Sequence, residues 1–180
     1  MADQGPASGG NGSGENSTEP QVSVLAQYIK DLSVENPSAP QVYSWQVQPR
    51  LDVQFNIGVN TAGENVHEVT LKIEISAKSE SGVHFVIELS YGGIFGLRNI
   101  PNEALQPFLL IEAPRMLFPF ARQIIAEAVA NAGFPPLLLD PIDFTGAYMA
   151  QLQAQQGDQQ ATTEADDQPA EPAGEETGEA

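Results

Sequence analysis

Few side chains in this 180-residue chain are equipped for chemistry. His67 and His84 are its two histidines, and there is no cysteine. A chain without cysteine has no thiol nucleophile, disulfide or thiolate-held metal. Two histidines among scattered carboxylates lack the spacing of a metal-ligand set. Both read as ordinary surface histidines, His84 on the polar face of a strand. Tyr91-Gly92-Gly93-Ile94-Phe95 has two glycines but neither a GxGxxG pattern nor a phosphate-loop lysine. Its glycines suit a sharp exit from a strand. What remains is acid. Asp31 and Glu35 are an even number of residues apart, so an extended segment sets both on one side. Glu88 projects from the polar face of its strand between Val86 and Ser90. These acids read either as solvated charges or as a patch for a basic partner. No catalytic constellation is visible among these residues.

The elements that must position them follow from periodicity. Gln21–Ile29 reads as an edge or interface strand, and 30–35 continues extended or turns. Asn36-Pro37-Ser38-Ala39-Pro40 is a loop, because two prolines remove two backbone donors. From Tyr43 to Val59 the odd positions are apolar or aromatic apart from Pro49, and the even ones polar. That predicts one long two-faced strand, with an edge, bulge or bend at Pro49. Its second part, Leu51–Val59, is expected as sheet core beneath helices. Val69–Ala77 and Val83–Tyr91 alternate in the same way, joined by a Ser79–Gly82 hairpin turn. The short connections predict antiparallel neighbours and a four-stranded sheet.

Beyond Pro101 the period changes to about 3.6. A short helix over Asn102–Ile111 is expected. A longer one, starting at Pro114, covers Arg115–Asn131 with Gly133 as its C-terminal cap. Its apolar arc spans about half the circumference, wider than a surface helix needs. Either a second subunit covers part of it or the helix is buried within one chain. After the extended stretch Phe134–Pro141, Asp143 caps a last helix from Phe144 to about Gln155, with Phe144, Tyr148 and Leu152 as its stripe. The fold class is α+β.

Charge divides the chain. The formal net charge is −17, from 24 acids and 7 Lys or Arg. Residues 151–180 hold eight acids and 1–20 hold three, both without a base. Such segments bury too little surface to offset ordering entropy. Residues 1–20 and 156–180 are therefore expected as disordered tails around one domain over 21–155. Net acidity argues against nucleic acid. The N-terminal residues lack a basic region followed by an apolar run, so no secretory signal is expected, and no apolar run is long enough to span a bilayer.

The motifs, taken together, resemble one family. Lys30-Asp31-Leu32-Ser33-Val34-Glu35-Asn36-Pro37-Ser38-Ala39-Pro40 is similar to the "KD-S-E-P-AP" segment of the SecB protein-export chaperones. The likeness continues in order through Gln48-Pro49, Glu88 and Gly92-Gly93-Ile94-Phe95. Leu117-Phe118-Pro119-Phe120-Ala121-Arg122, Gly133-Phe134-Pro135-Pro136-Leu137 and Leu139-Asp140-Pro141-Ile142-Asp143-Phe144 extend it to about residue 155.

The resemblance implies a homotetramer built as a dimer of dimers. Two subunits would join sheets, and the dimers would pack through the long helices. It implies an ATP-independent holdase in the bacterial cytosol, which keeps secretory precursors unfolded and delivers them to the SecA ATPase of the Sec translocon. No enzyme activity, cofactor or metal is implied for this chain. Family residues that contact the basic, zinc-bearing tail of SecA match Asp31, Glu35, Val86 and Glu88. The family's apolar client groove maps onto Tyr43, Trp45, Phe144 and Tyr148, with Tyr43–Val47 as a client-facing wall. The family commonly has Trp two positions before the proline of its Gln-Pro pair; here Val47 stands there and Trp45 comes two residues earlier, on the same sheet face. Two other readings remain: a SecB-like chaperone dedicated to one partner such as an antitoxin, and a small-ligand carrier or enzyme on an α+β sheet. The latter needs a closed pocket with convergent polar groups.

Overall fold

A computed structural model describes residues 19–165. Most of both tails expected to be disordered lies outside the described residues. Four strands, β1 (Gln21–Glu35), β2 (Arg50–Gly63), β3 (Val66–Ser79) and β4 (Gly82–Arg98), form one antiparallel sheet in the order β1-β4-β3-β2. The central pair shows the expected alternation. Val69, Leu71, Ile73, Ile75 and Ala77 of β3 are buried, as are Phe85, Ile87, Leu89 and Tyr91 of β4. Ser79 pairs with Gly82 across a tight turn, and Gly82 takes φ +138°, a region open to glycine.

Tyr43–Val59 is not one strand. Gln41–Ser44 forms a 3-10 turn, and β2 begins only at Arg50. The turn is locked locally: Val42 N–H donates to the Ser38 carbonyl, and Ser44 Oγ donates to that of Gln41. Pro49 has no N–H for a ladder, so pairing starts after it. Leu51, Val53 and Phe55 are not sheet core either, being 46%, 41% and 37% exposed. They lie on an edge strand that the main helix does not cover.

Gly92 and Gly93 do not end β4, which runs through them to Arg98. They are places of close approach. A Cβ on Gly93 would stand 2.7 Å from Leu117 Cδ2 and 2.9 Å from Phe95 Cε2. One on Gly92 would meet the Tyr28 ring at 2.9 Å.

The helices α1 (Asn102–Pro107) and α2 (Ala113–Asn131) are not separate. A π-helical turn, Phe108–Glu112, joins them into one continuous run, closed by an Ala113 N–H to Phe108 carbonyl bond. Pro114 has no N–H to donate to Leu110 and its ring would crowd that carbonyl; a wider turn ahead of it makes room for the ring. Leu117, Ala121, Ile125 and Val129 bury the inner side of α2 against β3 and β4. The helix ends as expected at Gly133 (φ +88°): Gly133 N–H donates to Ala130 O and Phe134 N–H to Val129 O. Asp143 Oδ1 accepts from Gly146 N–H and caps α3. This helix, Phe144–Ala165, extends past the expected Gln155.

Candidate partner-binding surfaces

The helix-free face of the sheet collects the acids. Across β1 and β4, Asp31 lies opposite Ser90, Ser33 opposite Glu88 and Glu35 opposite Val86. Directly paired residues share a face, so Asp31, Glu35, Val86 and Glu88 occupy one surface. Asp31 and Glu35 are about 13 Å apart along the strand, with Glu88 between them on the neighbour. A bulge between Ile29 and Asp31 sets this phase; without it Asp31 would turn to the opposite face.

The sheet adds residues that sequence reading missed. Glu74 lies opposite Glu88 and Gln54, and Ser76 lies opposite Val86 and Asp52. Glu74 and Asp52 therefore extend the same acidic surface. Lys72, opposite Ser90 and Asn56, stands among them. Its ammonium is 2.5 Å from Glu74 and 3.7 Å from Glu88, and its pKa is raised, chiefly by the hydrogen bond to Glu74. The polar alternation of β2 and β3 was the available signal, but it carries no register. Further along this face, Tyr28 Oη, Lys30 Nζ and Asn60 Nδ2 all donate to Glu68. These bonds, that of Tyr28 foremost, lower the Glu68 pKa to about 2. They also tie the edge strand β1 across β4 to β3.

The other face divides the expected groove residues into two groups. Tyr43 Oη donates to the Ala132 carbonyl at 2.8 Å and accepts from Asn36 Nδ2. The Tyr43 ring lies 5.7 Å from Phe134 and closes over Gly133. Trp45 sets its edge to His84 at 5.0 Å and covers Gly82. His84 is therefore not a surface histidine: it is buried, 2.9 Å from Ser79 Oγ. A register shift turns it inward: Val83, not His84, pairs with Lys78, so His84 shares the helix-side face with Phe85, 6.3 Å from Phe134, and Trp45 covers it.

Phe144 and Tyr148 lie elsewhere, beside β2. Phe144 is only 2% exposed, enclosed by Phe55 at 5.7 Å and Phe118 at 6.2 Å. It forms a floor, not a wall, because capping at Asp143 turns the first residue of α3 inward. Half-buried Tyr148 lines a cleft of about 300 Å³ with Phe55, Ile57, Leu110 and Gln151. Among the described residues no ring contact joins the two aromatic groups. Apolar surface is also open along β1, where Ile29, Leu32 and Val34 are 40–49% exposed, and on α2 at Met116 and Phe120. Among the described residues no set of His, Asp or Glu is placed to hold a metal ion, and no helix is long and apolar enough to cross a membrane.

Residues 15–155 match the family model described as preprotein translocase subunit SecB. Among relatives, the protein-export protein SecB of Sphingopyxis alaskensis is 57% identical over 142 residues, covering 79% of this chain and 83% of its own. That of Zymomonas mobilis is 57% identical over 136 residues, covering 76% and 83%. Among solved structures, a SecB-like chaperone of Mycobacterium tuberculosis, in complex with a ChAD peptide from the HigA1 antitoxin, superposes with a TM-score of 0.57. It is 13% identical and covers 68% of this chain and 91% of its own, a likeness of fold.

Proposed function

The chain belongs to the SecB family, and from that premise we propose a division of labour between its two sheet faces. It is a bacterial cytoplasmic holdase without enzymatic activity. It binds unfolded secretory precursors, keeps them competent for translocation and delivers them to SecA. The finer assignment is ours. The helix-free face, through Asp31, Glu35, Val86 and Glu88, takes the basic tail of SecA. The apolar face, through the Phe55–Tyr148 cleft over Phe144 and the Tyr43–Trp45 group, takes clients.

The observation that supports this reading is the convergence of those four residues from two strands on the face opposite the open apolar surfaces. A client and SecA can then be held together without competing for side chains. Burial of apolar client side chains is non-directional, so long apolar surfaces accept many sequences. Holding the unfolded state lowers the population free to fold. Electrostatic contacts on the other face add steering and salt-sensitive affinity.

We also assign a homotetramer, a dimer of dimers. The free edge of β1 with its open apolar residues suits sheet pairing. The outer side of α2, where Pro119, Ala126 and Ala130 meet Pro136 and Leu138 in a shallow groove, suits helix packing. Several weak client sites on one assembly give avidity.

Charge reversal tests the division. Asp31→Lys or Glu88→Lys is expected to weaken binding of the SecA tail by at least tenfold. Both should still slow the refolding of a destabilised precursor as the parent does. Unchanged affinity for SecA would remove the acidic assignment; loss of both functions together would remove the separation of faces.

A further inference from the structure

We propose that Lys72 is the built-in counter-ion of the acidic face, which a basic partner must displace from Glu88 in order to dock. The inference rests on reading this face as the SecA-binding surface. Lys72 stands on β3 in the row of Asp31 and Ser90, at one end of the acidic block, and contacts Glu74 at 2.5 Å and Glu88 at 3.7 Å. All three side chains are nearly half exposed, at 43%, 45% and 48%, so water screens the contacts and they break easily.

Asp31, Glu35 and Asp52 make no ion pair among the described residues. They stay open to incoming charge. Between Asp52 and Val86, Ser76 Oγ is buried without a partner, beside a crevice of about 90 Å³ that Glu74 and Glu88 also line. Lys72 does not line that crevice, so a partner cation seated there approaches Glu88 from the Ser76 side and competes with the Lys72 ammonium for one carboxylate. Displacement does not orphan Lys72, because the shorter contact to Glu74 remains. Glu74 is the parking position, and Glu88 is the shared one. Lys72 thereby lowers partner affinity and keeps release easy, which suits a carrier that must hand over its cargo and leave.

The test is calorimetric titration of the full chain with a zinc-loaded peptide of the basic SecA tail, at low and at physiological salt. Lys72→Gln is expected to bind about three- to tenfold more tightly at low salt, because a like charge near the docking point is gone. Its affinity should also fall more steeply as salt rises. The gain should vanish in a Glu88→Gln background. Lys72→Thr, which keeps strand preference, repeats the measurement should the glutamine variant fold poorly. If both Lys72 variants bind like the parent or more weakly while Glu88→Gln weakens binding, the counter-ion role is overturned and the surface assignment stands. If Glu88→Gln leaves binding unchanged, the surface assignment itself falls, and the counter-ion role with it.

Discussion

At the scale of the residue, Glu68 is the side chain whose surroundings alter it most. Three donors from β1 and β2 converge on one β3 carboxylate and hold its pKa at about 2, against an ordinary 4.5. A carboxyl with a depressed folded-state pKa contributes stability above its unfolded value and loses it as pH falls toward the folded one. The contribution should therefore be complete above about pH 5 and fade between 4.5 and 2. Because the group is on a solvent-facing surface, the amount is about 1 kcal/mol or less. Glu68→Gln should lower the urea midpoint at pH 7 and flatten the acid limb between pH 4.5 and 2. An acid limb as steep as the parent's would show that Glu68 carries none of it. His84 teaches the complementary lesson. Strict alternation along β4 assigns it to the helix-free side, but the register shift at Lys78 turns it to the side of Phe85 and Phe134, where Trp45 covers it.

At the scale of the element, close approach explains what local propensity does not. Read alone, Gly92-Gly93 marks the end of a strand. In the fold, Gly93 lets Leu117 of α2 come down onto the sheet, and Gly92 lets Tyr28 cross it toward Glu68. Gly93→Ala would place a methyl 2.7 Å from Leu117 Cδ2, in a well-packed core. The expected cost is about 1–3 kcal/mol, measured by urea unfolding with no change of slope. A neutral result would mean that α2 can lift from β4 freely. The continuous helical run Asn102–Asn131 follows the same logic. Three prolines, Pro107, Pro114 and Pro119, lie within it. The neighbouring sheet and the π turn hold a helix there that isolated propensity would divide.

At the scale of the whole molecule, the proposed assembly rests on apolar surface that the single chain leaves open. Val22, Val24, Ile29, Leu32 and Val34 on β1 are open on the helix side of the sheet, interrupted by Gln27, and Met116 and Phe120 on α2 are open as well. So are Leu51, Val53 and Phe55 on β2. Open apolar residues beside an unpaired strand edge invite association. Light scattering at micromolar concentration should give four times the 19.2 kDa chain mass. Ile29→Lys with Val34→Lys, placing charges along β1, should shift the assembly to smaller species. A monomeric parent would contradict the assembly assigned above.

The sequence by itself determined the local features: the two-faced β3 and β4, the turn at Gly82, the helix end at Gly133, the cap at Asp143 and, through its ordered motifs, the family. Each depends on neighbours within a few residues, where side-chain alternation and backbone preference act directly. Tertiary structure alone decided the register that carries Asp52, Lys72 and Glu74 to Asp31, Glu35 and Glu88. It also decided the roof over His84, the passage of β4 through its glycines and the separation of Tyr43 and Trp45 from Phe144 and Tyr148. Those features join segments tens of residues apart. Their placement is set by which surfaces pack and which strands pair, and no local period encodes that.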